Sequence, residues 1–189
     1  MIVCKFGGTS VASAEQIKKV ANIVKSNPER KIVAVSAPGK RSGDDIKVTD
    51  LLIDLADTAL AGGDVASKID VVVNRYRAIT DGLGLDNTMT DIIAADLRER
   101  VQADRSNTDL FIDSIKASGE DNNAKVIASY FNSIGLPAKY VSPKEGLVVN
   151  DLPERTFALP EAYKNLSKLK DTEEIIVFPG FFGYTKAGV

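Results

Sequence analysis

Met1-Ile2-Val3-Cys4-Lys5-Phe6-Gly7-Gly8-Thr9-Ser10 opens the chain, and this stretch decides the fold. The apolar run from Ile2 to Phe6 predicts a strand, and the glycine pair Gly7-Gly8 predicts its end. Lys5 places a cation near the end of the strand, two residues before the first glycine. The first question is therefore whether this strand end is a plain turn or a binding site.

The next segments indicate what kind of sheet the first strand joins. Apolar residues recur at helical spacing behind Ser13, which stands three residues before Gln16 as in a capping box, so a helix from about Ala14 to Ser26 is predicted. A β-rich run from Lys31 to Ser36 follows. Strand, glycine loop, helix and strand form a βαβ unit, which predicts a parallel sheet.

The remainder of the chain predicts an α/β domain with about five main strands and a helical middle third. A helix is expected from Glu120 to Ser133, with Gly135 as its C-terminal cap. The other predicted helices and strand stretches are Leu51 to Ala61, Val65 to Thr80, Asp91 to Ala103, Leu159 to Lys170, and the strands "AKYVS", "GLVVN" and "EIIVF".

Composition limits the chemistry. The 189 residues carry a net charge of -2, with 44% hydrophobic and 26% charged residues, which is typical of a globular domain and gives no sign of nucleic-acid or membrane partners. No signal peptide or membrane span is indicated, so a cytoplasmic location is expected. Histidine is absent and Cys4 is the only cysteine. Sites that need histidine, and structural zinc sites, are therefore not expected, and Cys4 is interpreted as a small buried side chain.

Polar features follow three of the predicted strands, where ligands bind in open parallel sheets. They are Lys5 with Gly7-Gly8, then Ser36, and then Gly180 with Phe181. Glycine amides beside a lysine can hold phosphate oxygens, and we call Lys5, Gly7 and Gly8 the phosphate cradle. Neither G-x-x-x-x-G-K-[ST] nor G-x-G-x-x-G occurs, so motif logic alone leaves the phosphate cradle and a tight turn equally open.

Two further polar residues allow a structural interpretation. Thr49 and Asp50 stand where a helix is predicted to begin, and such residues commonly cap helices. Ser118-Gly119-Glu120-Asp121 also precedes a predicted helix, where acidic residues commonly favour the helix dipole. From the residues alone, Glu120 is interpreted as structural.

Five stretches, taken together in order and spacing, resemble the aspartate kinases of the amino acid kinase superfamily. They are "KFGGTSVA", "VAVSAPGK", "KVTDLL", "SGEDNNAKVIASYF" and "FPGFFGYTKAGV", and they span essentially the whole chain. The resemblance implies a parallel-sheet amino acid kinase fold with helices on both faces and a helical middle insertion. It also implies transfer of the ATP γ-phosphoryl group to the β-carboxylate of L-aspartate, the first step towards lysine, threonine and methionine.

The same resemblance implies roles for individual residues. Lys5 would be catalytic and would bind the ATP phosphates with Gly7, Gly8 and Ser10. The aspartate pocket would be formed by Ser36, Thr49, Glu120 and Phe181, with Glu120 against the α-ammonium group. Mg²⁺ would be carried on the nucleotide, with no dedicated protein ligands.

The chain departs from the family after "GFFGYTKAG". The S-R-G-G-S-D segment, the nucleotide-binding half and the regulatory ACT domains are not in it, so residues 1–189 are interpreted as the N-terminal, aspartate-binding lobe, inactive alone. Self-association through the C-terminal aromatic segment, or a disordered C-terminus, is expected, since Phe178, Phe181, Phe182 and Tyr184 lack their covering. Two alternatives stay open: a glutamate, acetylglutamate or carbamate kinase, and a non-catalytic binding or assembly module. A dinucleotide-binding domain is remote, because its glycine fingerprint is missing.

Overall fold

One parallel sheet organises the protein. The computed structural model describes residues 1–150 and 156–186, and its strands are β1 (Ile2–Phe6), β2 (Arg30–Val35), β3 (Ala138–Tyr140) and β4 (Ile175–Pro179). Their order across the sheet is β1-β2-β4-β3, and every neighbouring pair is parallel. The predicted parallel sheet is confirmed.

Helices fill most of the chain between the strands, and the predicted helical middle third is confirmed. The α-helices are α1 (Ala14–Lys25), α2 (Val48–Leu60), α3 (Val65–Leu83), α4 (Thr88–Val101), α5 (Thr108–Ser133) and α6 (Pro160–Leu166). Three short 3-10 helices span Gly8–Val11, Pro143–Glu145 and Ser167–Asp171.

Local signals in the sequence explain where α1 begins and which face it buries. The Gln16 amide donates a hydrogen bond of 3.4 Å to the Ser13 hydroxyl, which caps the helix. Ile17, Val20 and Val24 are buried on one face. This spacing places one apolar stripe against the sheet, and α1 packs on β2 and α3.

The two faces of the sheet differ in what covers them. The main apolar core contains α1, α5 and the strand residues Val33, Val35, Ile175 and Val177. Side chains alternate between faces along a strand, so the intervening residues lie on the opposite face. Lys5 pairs with Ala34, and Ala34 pairs with Phe178. Lys5 therefore lies on the face opposite α1 and α5.

The predicted start of α5 was wrong. This helix begins at Thr108, where the Leu110 amide donates a hydrogen bond of 3.1 Å to the side chain of Asn107, so Glu120 lies in mid-helix. The Ser, Gly and Asn residues of 118–123 disfavour a helix locally. Tertiary packing overrides that preference, because all six residues from 118 to 123 are buried. Gly135, with a φ of 74°, follows the end of α5 as expected.

The C-terminal third differs from the sequence prediction in two places. "GLVVN" is not a strand: Val148 and Val149 form only isolated bridges, to Tyr184 and Ala158. The described residues therefore contain four strands and not five. The helix expected over 159–170 divides into α6 and the following 3-10 helix.

Gly119 gives a test of how closely α5 packs. A Cβ atom at this position would lie 2.9 Å from Ala37 Cβ and 3.0 Å from Leu52 Cδ1. We expect Gly119→Ala to lower the free energy of unfolding by about 1–3 kcal/mol, since it overpacks a buried contact. Gly43→Ala is the matched control, because a Cβ there meets nothing within 4 Å, and it should change stability by less than about 0.5 kcal/mol. Equal effects of the two substitutions in urea unfolding would contradict this packing.

Candidate functional site

The loops that follow three strands meet at one edge of the sheet. The Ser36 amide donates a hydrogen bond of 3.1 Å to the Phe6 carbonyl, and the Gly180 amide donates one of 2.8 Å to the Val35 carbonyl. The carboxyl ends of β1, β2 and β4 are therefore adjacent. Every polar feature that the sequence placed after a strand lies at this edge.

Two glycines allow the first two loops to touch through their backbones. The Gly39 amide donates a hydrogen bond of 2.9 Å to the Gly8 carbonyl. A Cβ on Gly39 would lie 2.6 Å from Gly8 C, and a Cβ on Gly8 would lie 3.0 Å from Ala37 O. Side chains larger than hydrogen would separate the loops, so this contact requires glycine on both sides. We call the pair Gly8 and Gly39 the glycine contact.

The amides of Gly8 and Thr9 remain available beside the glycine contact. They open the 3-10 helix Gly8–Val11, and neither donates a hydrogen bond to another backbone group in residues 1–150 and 156–186. Lys5, Gly7 and Ser10 are exposed next to them. Free backbone amides beside a lysine can bind an anion, so the geometry supports a phosphate cradle better than a plain turn.

Glu120 reaches the same edge from α5, on the core side of the sheet. It is 7% exposed, and the Ala37 amide lies beside its carboxylate. Burial raises the pKa of the Glu120 carboxyl above its ordinary value, and the neighbouring Ala37 amide opposes that shift. Because Glu120 is not in the first turn of a helix, the interpretation of it as a dipole-stabilising residue was wrong.

The contact between α2 and α5 brings the start of α2, where Thr49 lies, against the part of α5 that carries Gly119. Gly119 touches Ala37, and a Cβ atom added to Gly119 would lie 3.7 Å from Val48 Cγ1. Thr49 follows Val48 and is half-buried. The residue that caps α2 is Lys47, and no side chain makes a capping hydrogen bond there. The helix-cap interpretation of Thr49 was therefore wrong.

Ser36 is held at the edge by a residue that the sequence did not single out. The Asn123 side-chain amide donates a hydrogen bond of 2.7 Å to the Ser36 carbonyl, and Tyr76 donates one of 2.7 Å to the Gly119 carbonyl. The buried polar run from Ser118 to Asn123 is the signal that could have indicated such contacts. Six consecutive polar or small residues within a helix leave no room for an ordinary apolar stripe.

Phe181 differs from the other candidates. It follows Gly180 at the end of β4, but its side chain is 90% exposed and its φ is 78°. A left-handed conformation is unfavourable for a bulky residue and commonly marks a functional position. The structure therefore places Phe181 at the edge without packing its ring on the other candidates. The last three residues of "FPGFFGYTKAGV" lie outside the described residues.

Residues 1–150 and 156–186 contain no group of three or more acidic or cysteine side chains arranged to hold a metal ion. None of their helices is both long and apolar enough to cross a bilayer. Cys4 is a free thiol and only partly buried, so its interpretation as a buried residue needs correction.

Comparison with known proteins identifies the family of this chain. The model of the amino acid kinase family matches residues 1–189. The chain belongs to the amino acid kinase family. Aspartokinase 3 of Bacillus subtilis (strain 168) is 48% identical over 189 residues, which are 100% of this chain and 42% of that protein. The chain thus spans less than half the length of this family member.

Solved structures of the amino acid kinase family agree with the fold. An aspartate kinase from Clostridium acetobutylicum superposes with a TM-score of 0.83 at 28% identity, covering 98% of this chain and 40% of its own. Aspartokinase III of E. coli, in complex with aspartate and ADP, superposes with a TM-score of 0.80 at 23% identity, covering 100% and 42%. The latter similarity shows a shared fold.

Replacing Glu120 with Gln should change stability in a pH-dependent way. Burial raises the pKa of Glu120 above its value in the unfolded chain, about 4.3 for glutamate. The ionised carboxylate therefore opposes folding more as pH rises through the folded-state pKa, whereas Gln carries no charge. We expect the free energy of unfolding of Glu120→Gln, relative to wild type, to increase between about pH 4 and about pH 7.5.

Urea unfolding at a series of pH values measures this difference. Glu99→Gln, at an exposed position of α4, is the matched control for loss of a carboxylate. A difference between Glu120→Gln and wild type that stays constant or shrinks as pH rises would contradict a buried carboxyl with a raised pKa.

Proposed function

We propose that residues 1–189 form the aspartate-binding lobe of an aspartokinase, which transfers the γ-phosphoryl group of ATP to the β-carboxylate of L-aspartate. The observation that carries this proposal is that groups of opposite charge lie at the same edge of the sheet, where the strands have their carboxyl ends. Lys5 and free amides lie on one side, and the buried Glu120 lies on the other. Membership of the amino acid kinase family and 48% identity to an aspartokinase support it.

The amino acid end of the substrate would be bound by the buried side of the edge. The Glu120 carboxylate suits an α-ammonium group, because a charged pair shielded from water is strong. Ser36 and Thr49 lie near the same contact and offer hydroxyl groups. Phe181 would cover this pocket, and this role would explain why its backbone keeps an unfavourable left-handed conformation.

The phosphate end would be bound by the phosphate cradle. A β-carboxylate oxygen of aspartate attacks the γ-phosphorus, a new O–P bond forms, and the bond to the β–γ bridging oxygen breaks, so that ADP leaves. Catalysis of such a transfer depends on positioning and charge stabilisation. Lys5 would stabilise the charge on the transferring group, with the amides of Gly7 and Gly8 and the Ser10 hydroxyl beside it.

Magnesium would accompany the nucleotide. Mg²⁺ retains several waters and commonly binds through substrate phosphates and not through a protein cage. When bound, the ion would supply neutralisation of phosphate charge, while the chain itself would bind aspartate and orient the γ-phosphoryl group.

Further parts of the proposal concern context. The reaction would begin the synthesis of lysine, threonine and methionine, in the cytoplasm. The lobe would need a nucleotide-binding half, which the relatives' greater length leaves room for. Of the four aromatic residues expected to promote self-association, Phe181 is exposed, whereas Phe178, Phe182 and Tyr184 are half-buried. A self-association surface would therefore centre on Phe181.

We expect the 189-residue chain alone to release no ADP above background with aspartate and ATP. A chimaera in which residues 1–189 replace the matching part of Bacillus subtilis aspartokinase 3 should phosphorylate aspartate, because that protein is 48% identical over this span. A coupled ADP-release assay measures both. Normal turnover by the isolated chain would contradict the lobe assignment.

Substrate choice in the chimaera separates the alternatives. Turnover with glutamate, acetylglutamate or carbamate in place of aspartate would identify another amino acid kinase. A chimaera that folds but turns over none of these substrates would favour a non-catalytic module.

Substitution of the two charged residues should separate turnover from binding. In the chimaera, Lys5→Met should lower kcat by on the order of 10²–10³ with little change in the KM for aspartate, as a lost transition-state donor does. Glu120→Ala should mainly raise the KM for aspartate, by about 10- to 100-fold, the value of a hydrogen bond to a charged group. Lys139→Met, on an exposed strand position, is the control for Lys5. The reverse pattern would reject these two roles.

A further inference from the structure

Arg75 is a buried cation to which neither the sequence motifs nor the proposed reaction gives a role. It lies on α3 with its side chain 5% exposed. Its Nη2 donates to two backbone carbonyls, Ala12 O at 2.8 Å and Gly39 O at 3.0 Å. These carbonyls belong to the loops that follow β1 and β2. One side chain from the helical middle segment therefore holds both loops.

A contribution to stability does not explain why a charged arginine is buried at this position. Burial lowers the pKa of the Arg75 guanidinium, but arginine stays charged in proteins. Its Nε and Nη1 have no hydrogen-bond partner in residues 1–150 and 156–186. Since an apolar side chain of similar volume would avoid this desolvation, a functional gain is expected to offset it.

The charges around Arg75 do not cancel. Asp45 Oδ2 lies 3.6 Å from Arg75 Nη2. The same carboxylate accepts hydrogen bonds from the Arg41 side chain, at 2.7 Å, and from its backbone amide, at 2.8 Å. Arg41 holds the pKa of Asp45 well below its usual range. One carboxylate thus faces two guanidinium groups, and a net positive charge remains behind the loops.

The glycine contact explains why these loops need an external clamp. Gly8 and Gly39 approach closely because they lack side chains, and the Gly39 amide to Gly8 carbonyl bond is the direct backbone link between them. Because glycine has no side chain, Gly8 and Gly39 cannot hold the two loops together by side-chain packing. Arg75 supplies that missing attachment, because it bonds the carbonyl of Gly39 itself and that of Ala12.

We propose that Arg75 is a positioning residue for phosphoryl transfer: it fixes the glycine contact and leaves positive charge behind the phosphate cradle. The kinetic part of this inference rests on the proposed function. The attachment of the two loops does not, and it can be measured in the 189-residue chain without substrate.

Hydrogen–deuterium exchange of the chain tests the attachment. In Arg75→Met, amides in residues 7–12 and 38–45 should exchange on the order of tenfold faster, because local opening becomes easier. Arg75→Lys keeps the charge but lacks the planar fork, so it should give an intermediate increase. Arg77→Met is the matched control, since Arg77 is exposed on the same helix, and it should leave both segments unchanged.

Kinetics of the chimaera test the consequence. Arg75→Met should lower kcat by on the order of 10- to 100-fold, as small misplacements of reacting groups do. The KM for aspartate should change less than about twofold, because Arg75 lies behind the phosphate cradle and not beside Glu120. A merely structural residue would reduce the amount of folded enzyme without this division between kcat and KM.

The two measurements fail independently. If the wild-type chimaera does not phosphorylate aspartate, the proposed function fails while the exchange result still decides whether Arg75 attaches the loops. Wild-type exchange in both segments of Arg75→Met would overturn the inference, as would a raised KM for aspartate with unchanged kcat. Should Arg75→Met not fold, Arg75→Lys decides, and its wild-type exchange together with wild-type kcat would overturn the inference.

Discussion

The backbone contact between Gly8 and Gly39 is the constraint on which the rest of the site depends. The loops come from two neighbouring parallel strands, so they leave the sheet in the same direction and at the same edge. The two loops can lie this close because Gly8 and Gly39 each carry a hydrogen atom where other residues carry a side chain. Beside this contact the amides of Gly8 and Thr9 open a 3-10 helix and have no backbone partner in the described residues, so this uncharged stretch of chain can bind an anion.

A second close approach completes the edge from the other side. Gly119 lets α5 lie against Ala37, and this close packing places the Glu120 carboxylate beside the Ala37 amide. Asn123, one turn further along the helix, donates to the carbonyl of Ser36. Side chains of α5 thus hold the backbone of the loop that follows β2, so the geometry of the site does not depend on the side chains of that loop. Burial raises the pKa of Glu120, so this carboxyl reduces stability once it ionises, which is a common cost of a binding site.

Local sequence signals predicted the parts of the fold whose structure is locally determined. The strand Ile2–Phe6, the capped helix from Ala14 and the parallel sheet follow from apolar periodicity and glycine placement. The same rules failed at 118–123, where Ser, Gly and Asn indicate a loop but burial between α2 and the sheet maintains a helix. "GLVVN" has strand composition, yet it forms only isolated bridges. Tertiary context decided both cases.

The site shows a similar division. Motif residues at strand ends could be located, because parallel strands bring their carboxyl ends together. Arg75 could not be located in this way, since it lies 63 residues from Ala12 and 36 from Gly39 and belongs to no local sequence pattern.

Lys5 and Glu120 approach the edge from opposite faces of the sheet, so a substrate between them must cross that edge. The described residues cover Glu120 but leave Lys5 exposed. Phosphoryl transfer is favoured where water is excluded, and in the proposed reaction the surface that closes over Lys5 must come from a second lobe.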